Sequence, residues 1–211
     1  IAITPICWSQ LLAMGRGLLG RDRKGLRLFC NVLIAFLPAA CLGLLIHEWV
    51  DENLFSLSAV IFGLAAGSLL MFLADRWPAW LEQRQAYRSE LTPLGAAGIG
   101  VLQCFAMWPG TSRPMMTMVG GYFAGLLPGP AAGFSFLLGW VTLTAATLFK
   151  SYKSGPLIVQ IFGWENVALG IGIAAITAWV SVRFFVQLLL RKGLSPFAWY
   201  RLALAGFLWL S

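Results

Sequence analysis

Residues 54–74 run for 21 positions without one charged side chain. A helix needs about 20 consecutive apolar residues to cross the hydrocarbon of a bilayer. Runs of comparable character recur along the chain, at 28–46, 131–149, 167–190 and 197–210, with a partial one at 1–14. Only 11% of the 211 residues are charged, against about 25% in a soluble domain. The sequence therefore predicts an all-α, polytopic integral membrane protein, one transmembrane domain over 1–211. Pro38 and Arg183 interrupt two of the runs. Proline is tolerated in a membrane helix when neighbouring groups satisfy the freed carbonyl. Arg183, seven residues from the end of its run, is placed to snorkel to the interface or to face the bundle interior.

The formal net charge of +7 bears on membrane orientation and anionic head groups before nucleic acid. The chain opens at Ile1, partway through an apolar run and with no charged leader, so its natural N-terminus is expected to lie further upstream. Cys7, Cys30, Cys41 and Cys104 stand in apolar runs with no C-x-x-C spacing, and read as small packing residues rather than metal ligands.

Between the third and fourth runs the pattern changes. Residues 94–107 and 114–127 are each about 14 long, too short to cross, and the polar PGTSR turn joins them. Two half-length apolar pieces around a Gly/Pro break predict a re-entrant hairpin over 94–127, a device that transporters place at a midplane binding site. The loop at 16–27 carries five Lys/Arg, the loop at 47–53 none, and the loop at 75–93 three. Lys/Arg excess marks the cytoplasmic side, which fixes the first half as in, out, in. With 94–127 entering and leaving on one side, Lys150 and Lys153 fall outside and Arg191-Lys192 inside, ten Lys/Arg against two. A single crossing of 94–127 gives the same ratio with the last two loops exchanged, so charge alone leaves the second half open.

The turn itself has the composition of an anion cradle. Arg113 is permanently charged and planar, able to grip phosphate bidentately, and a bare charge at membrane depth is costly without a purpose. Thr111 and Ser112 stand where N-caps of the following half-helix belong, a natural anion site. Gly110 permits a tight turn with close backbone approach.

The stretch 109–126, "PGTSRPMMTMVGGYFAGL", resembles the signature of the undecaprenyl-diphosphatases, the bacitracin-resistance family that dephosphorylates the C55 lipid carrier of cell-wall synthesis. "GLLGRDRKGLRL", "FLADR", "FSFLLG" and "SPFAWYRLALAG" are similar too, in the family's order along nearly the whole chain. The resemblance implies a bacterial inner-membrane hydrolase that takes undecaprenyl diphosphate to the monophosphate and phosphate. It implies catalytic roles for Arg113, Ser112 and Thr111, and substrate contacts for Gly110, Thr117, Gly120 and Gly121. It also implies a divalent cation, Mg²⁺ or Ca²⁺, for which this chain offers no ligand set of its own, and an inverted-repeat architecture. The expected partners are the polyprenyl diphosphate and membrane lipids, with a homo-oligomer allowed and no nucleic acid.

The family's glutamate-rich motif and S-S-T-G-H-type stretch, which the resemblance assigns to a first hairpin, are absent here. This segment alone is expected to bind and neutralise phosphate without turning over. Pro114-Met115 replaces the usual Ser-Gly, removing one N–H and one hydroxyl, and Met115 is expected to narrow the approach to the cradle. His47, beside Glu48 at a run end, reads as interfacial, as do the Asp75-Arg76 pair and Arg201; most tryptophans form an aromatic belt. The rival function is a transporter or flippase that carries an anionic substrate on the same frame.

Overall fold

The structure, a computed structural model, describes residues 3–54, 56–88 and 90–210, without the side chains of 6, 44 and 46–53. The reading of His47 as interfacial concerns a side chain outside that set. Among the described residues the regular structure is all helical, with no strand. The helices are α1 (Thr4–Leu18), α2 (Arg23–Asn53), α3 (Leu57–Asp75), α4 (Trp77–Gln83), α5 (Pro93–Phe105), α6 (Arg113–Phe123), α7 (Pro128–Lys192) and α8 (Ser195–Leu210). Three of them carry stretches long and apolar enough to cross a membrane: Arg23–Gly43 in α2, Leu57–Gln83 across α3 and α4, and α7.

Local chemistry sets several starts. Ser56 caps α3 by accepting from the Ala59 N–H at 3.2 Å. Thr92 does the same for Gly95 at 3.1 Å, and Pro93 follows it. Proline costs nothing in a first turn, where its missing N–H would have had no helical partner.

The helices meet through small residues. A Cβ on Gly17 or Gly25 would strike the backbone of the opposing helix in the α1–α2 pair, and one on Gly100 would lie 2.8 Å from the Ala35 carbonyl in the α2–α5 pair. Backbones approach this closely only where side chains are absent, the usual way helices associate in lipid. The α3–α8 pair is antiparallel: Phe72 meets Trp199 at 5.2 Å between centroids, and Gly67 faces Arg201. Asp75 closes that pair. Its carboxylate accepts from the Leu194 N–H (2.8 Å), the Ser195 N–H (3.3 Å) and the Ser195 hydroxyl. The acid therefore caps α8 rather than pairing with Arg76, because two free N–H groups at a helix start hold a carboxylate better than one exposed neighbour.

Helix α7 departs from expectation. The segment 150–156, expected as a loop, is helical despite Gly155-Pro156, and the chain instead reverses at Gly163 (φ +74°, ψ 155°). Only glycine occupies that backbone region freely. The two arms fold back together, with Phe136 against Phe185. Arg183 points outward, stacked 5.5 Å over Trp179 rather than into the bundle. Helix α4, packed beneath α3 and α6, was not foreseen: a seven-residue helix opening on Trp77-Pro78 in what reads as a loop. Cys7 is buried, Cys104 half-buried, Cys30 and Cys41 exposed, all free thiols.

Helices α5 and α6 pack antiparallel. The position of a Gly95 Cβ, at the start of α5, lies 3.0 Å from Ala124 at the end of α6. The Arg88 N–H donates to the Gly125 carbonyl at 2.8 Å, so the segment leading into the pair and the one leaving it meet. At about 1.5 Å per residue, 13 and 11 residues give lengths of about 20 and 16 Å, short of the roughly 30 Å of hydrocarbon. The tip stops inside the bundle. Met107 lies beside Gly43, and α2 continues from there to Asn53, about 15 Å further.

Because the chain returns, one end of the molecule collects the basic residues. Arg27 and Lys24 reach Glu90 at 3.2 and 3.5 Å, Gly193 abuts Asp75, and Trp77 meets Phe123. These contacts bring the 16–27, 76–88 and 191–192 segments together. Lys150 and Lys153 lie toward the Gly163 end.

Candidate functional site

The candidate site is the hairpin tip, residues 106–112, with the first turn of α6. Successive turn bonds build it: Met107 N–H to the Cys104 carbonyl, Trp108 N–H to Phe105, and Thr111 N–H to Trp108, at 3.1 to 3.2 Å. The Thr111 hydroxyl donates inward to the Trp108 carbonyl at 2.6 Å, with the Phe105 carbonyl at 3.2 Å. Gly110 stands at φ +85°. Its Cα sits so close to the Val60 carbonyl that a Cβ would overlap that oxygen, so the position excludes side chains on two independent grounds.

The tip is docked on α3. Trp108 donates its indole N–H to the Ala59 carbonyl at 2.9 Å and packs on Phe62. Arg201, from α8, reaches across: its Nη2 donates to the Gly110 carbonyl at 2.7 Å and to the Gly63 carbonyl at 3.1 Å. Arg201 is 7% exposed. The reading of this arginine as an interfacial anchor is corrected. Asp75 holds the N-terminus of α8 so that position 201, near the middle of the helix, faces α3 and not the head groups.

Helix α6 starts from Ser112, whose carbonyl accepts from the Met116 N–H at 3.0 Å and whose hydroxyl makes no capping bond. Arg113 and Pro114 are the first two helical residues. The first-turn N–H groups of Arg113 and Met115 have no helical partner, and Pro114 offers none. Arg113 is exposed and makes no hydrogen bond or ion pair among the described residues. Below it, Thr117 directs its hydroxyl to the Arg113 and Pro114 carbonyls, each at 3.1 Å, and to the Ser135 hydroxyl. Ser135 donates in turn to Pro114 at 3.2 Å. This buried pair ties the turn that carries Arg113 to α7.

The seven sequence-derived site residues therefore divide. Arg113, the Ser112 hydroxyl and the open N–H groups remain available at the tip. Gly110 shapes the turn, and its carbonyl is taken by Arg201. The hydroxyls of Thr111 and Thr117 are committed to backbone carbonyls, so they do not converge on a ligand with Ser112 as expected. Carbonyls within one turn offer acceptors that a hydroxyl satisfies locally. Gly120 and Gly121 are buried packing positions: Cβ atoms there would lie 3.1 Å from Ile99 and 2.9 Å from Ala131. Gly120 also lines a cleft of about 460 Å³ at the hairpin's open end, with Trp77, Trp80, Arg88 and Phe123. Met115 does not narrow the cradle. It is 1% exposed, with its methyl 3.0 Å from where a Gly67 Cβ would stand.

Sequence reasoning missed Arg201, Ser135 and Trp108 as parts of the site. "FSFLLG" and "SPFAWYRLALAG" contain two of them, but no spacing within either says that they meet residues 109–117.

For a divalent cation the test is the donor set. Among the described residues no three His, Cys, Asp or Glu side chains come together. Asp75 caps α8, and Glu90 pairs with Lys24 and Arg27. The described residues do not by themselves make a metal site, and no step is derived through one.

With this geometry in hand, comparison with known proteins adds the lineage. The chain is 42% identical over 214 residues to an undecaprenyl-diphosphatase of Sorangium cellulosum, which covers 100% of this chain and 69% of that protein. It is 37% identical to undecaprenyl-diphosphatase 2 of Rhodospirillum rubrum (96% and 73% covered) and 35% identical to an undecaprenyl-diphosphatase of Nitratidesulfovibrio vulgaris (97% and 76%). Residues 1–207 match the family described as "Bacitracin resistance protein BacA", and the chain belongs to that family.

Proposed function

We propose that this protein is an undecaprenyl-diphosphate phosphatase of a bacterial cytoplasmic membrane, with the hairpin tip as its phosphate-binding half-site. In the reaction water adds to the terminal phosphorus and the bridging P–O bond breaks. The bridging oxygen leaves on the lipid monophosphate, and inorganic phosphate is released. Negative charge builds on the leaving oxygen and the transferred group. Arg113 meets that charge with a planar pair of donors, and the start of α6 adds N–H groups and the positive end of its dipole. The observation that carries the reading is a guanidinium with no partner among the described residues, on a helix start, at the tip of a hairpin that ends beside α2 and α3. No described carboxylate or imidazole reaches the tip, so acid–base work is assigned to none of these residues.

The hairpin is read as re-entrant and the chain as multi-pass. The collected basic residues support a cytoplasmic position for the hairpin's open end, with the tip opening toward the outer leaflet. The three longer helices α1, α2 and α3 before the hairpin, and the two arms of α7 plus α8 after it, support an inverted repeat.

The test is phosphate release from undecaprenyl diphosphate by the complete gene product in detergent, with and without Mg²⁺ or Ca²⁺. Arg113→Ala is expected to lower kcat by about 10²–10³, the range for removing one preorganised charge-stabilising donor. Release no faster than a protein-free blank would remove the enzymatic reading in favour of carriage of an anionic lipid. A near-normal Arg113→Ala rate would take Arg113 out of the site.

A further inference from the structure

Arg201 offers more than a buried ion. Its Nη2 bridges two carbonyls from different elements, Gly63 on α3 and Gly110 at the hairpin tip, and its Nε has no partner. A charge in a low-dielectric bundle is costly unless its donors are used, so Arg201 is buried there against a penalty. Its room is made by Gly67. A Cβ there would overlap Nη2 and would lie 3.2 Å from the guanidinium carbon and 3.0 Å from the Met115 methyl. Gly67 is thus in contact distance of both Arg201 and the α6 residue two positions after Arg113. On the other side, Asp75 fixes the N-terminus of α8, and with it the height of Arg201.

We propose that Arg201 is the positioning residue of the phosphate site: seated against Gly67, it clamps the Gly110 carbonyl and so sets the direction in which Ser112 and Arg113 leave the tip. Resting on the phosphatase reading for its kinetic consequence, the clamp acts through the backbone and never touches substrate. Two peptide units separate its contact from Ser112. Its effect is therefore on orientation, and a displacement of about 1 Å in a charge-stabilising group costs on the order of 10²-fold in rate.

The experiment uses the complete gene product in lipid nanodiscs. Arg201→Ala, Arg201→Lys and Gly67→Ala are compared for kcat, KM for undecaprenyl diphosphate, and amide hydrogen exchange over 106–113. Arg201→Ala is expected to lose about 10- to 100-fold in kcat with KM changed less than threefold, and to speed exchange at the tip. Arg201→Lys keeps a charge but not the two-carbonyl bridge, and is expected to fall between the two. Gly67→Ala leaves every clamping donor in place but blocks its seat, so it should reproduce the Arg201→Ala kinetics. The Gly67→Ala/Arg201→Ala double variant should be no slower than Arg201→Ala alone. Should Arg201→Ala not accumulate, Gly67→Ala and Arg201→Lys decide. Wild-type kcat and exchange in Gly67→Ala, or additive losses in the double variant, would overturn the clamp. If the wild-type protein releases no phosphate, the phosphatase reading fails by itself. The exchange comparison then still decides whether Arg201 fixes the tip.

Discussion

At the scale of single residues, the departure Pro114-Met115 splits into two unlike substitutions. Pro114 is exposed at the second position of α6. Pro114→Ser gives back an N–H and a hydroxyl beside Arg113 without disturbing a contact, so kcat should be equal or higher, by up to about tenfold if the donor reaches phosphate. Met115 is fully buried between α6 and α3. Met115→Gly removes a core side chain and places glycine within a helix, a loss of about 2 kcal/mol or more, read as a clear fall in the thermal midpoint. The two replacements made together should look harmful, and only the separate variants show why. The sequence marked Pro114 and Met115 as one departure because they are adjacent. The helix turns about 100° between them, so one faces the cradle and the other the core.

At the scale of elements, the hairpin was legible because both its causes are local. Two short apolar runs give two short helices, and Pro109-Gly110 cannot continue a helix. Gly110 shows both at once, with a positive φ and a backbone contact on Val60. The reversal in α7 was misplaced because Gly155-Pro156 and Gly163 are both turn signals in a sequence. The structure turns only at Gly163, where φ is positive. Proline within a helix frees one carbonyl but still accepts helical φ. The α3–α8 junction was invisible for another reason: Asp75 and Ser195 are 120 residues apart, and nothing at either end names the other. Asp75→Ala should therefore cost more than an interfacial acid would. It strips the acceptor from two backbone N–H groups and a hydroxyl, about 1–2 kcal/mol, and lets α8 shift relative to α3. Its thermal midpoint should fall while Asp75→Asn, which keeps one carbonyl oxygen, loses roughly half as much. An Asp75→Ala midpoint within error of wild type would show that the cap is not used.

At the scale of the whole molecule, the turn at PGTSR and the exposed start of α6 were readable from the sequence, whereas their mounting was not. Arg113 stands out as a charge between two apolar runs, and the structure leaves it exposed at the start of α6. Arg201 looks like any arginine near a run end until α8 is laid antiparallel to α3, a long-range choice no local pattern encodes. Orientation is the same kind of problem. The charges allow two arrangements of the second half with equal ratios, and the contacts that bring 191–192 to the end that holds 16–27 favour the arrangement in which 94–127 returns to its starting side. This yields a test that does not depend on activity. In a cysteine-free background, Gln83→Cys lies at the basic end on α4, and Ser151→Cys lies between Lys150 and Lys153; both positions are exposed. A membrane-impermeant maleimide applied to intact spheroplasts should label position 151 and spare position 83, and permeabilisation should expose position 83. The reversed pattern would invert the protein, and labelling of both positions or neither in intact spheroplasts would place the two ends on one side, contrary to a hairpin that returns to its starting face.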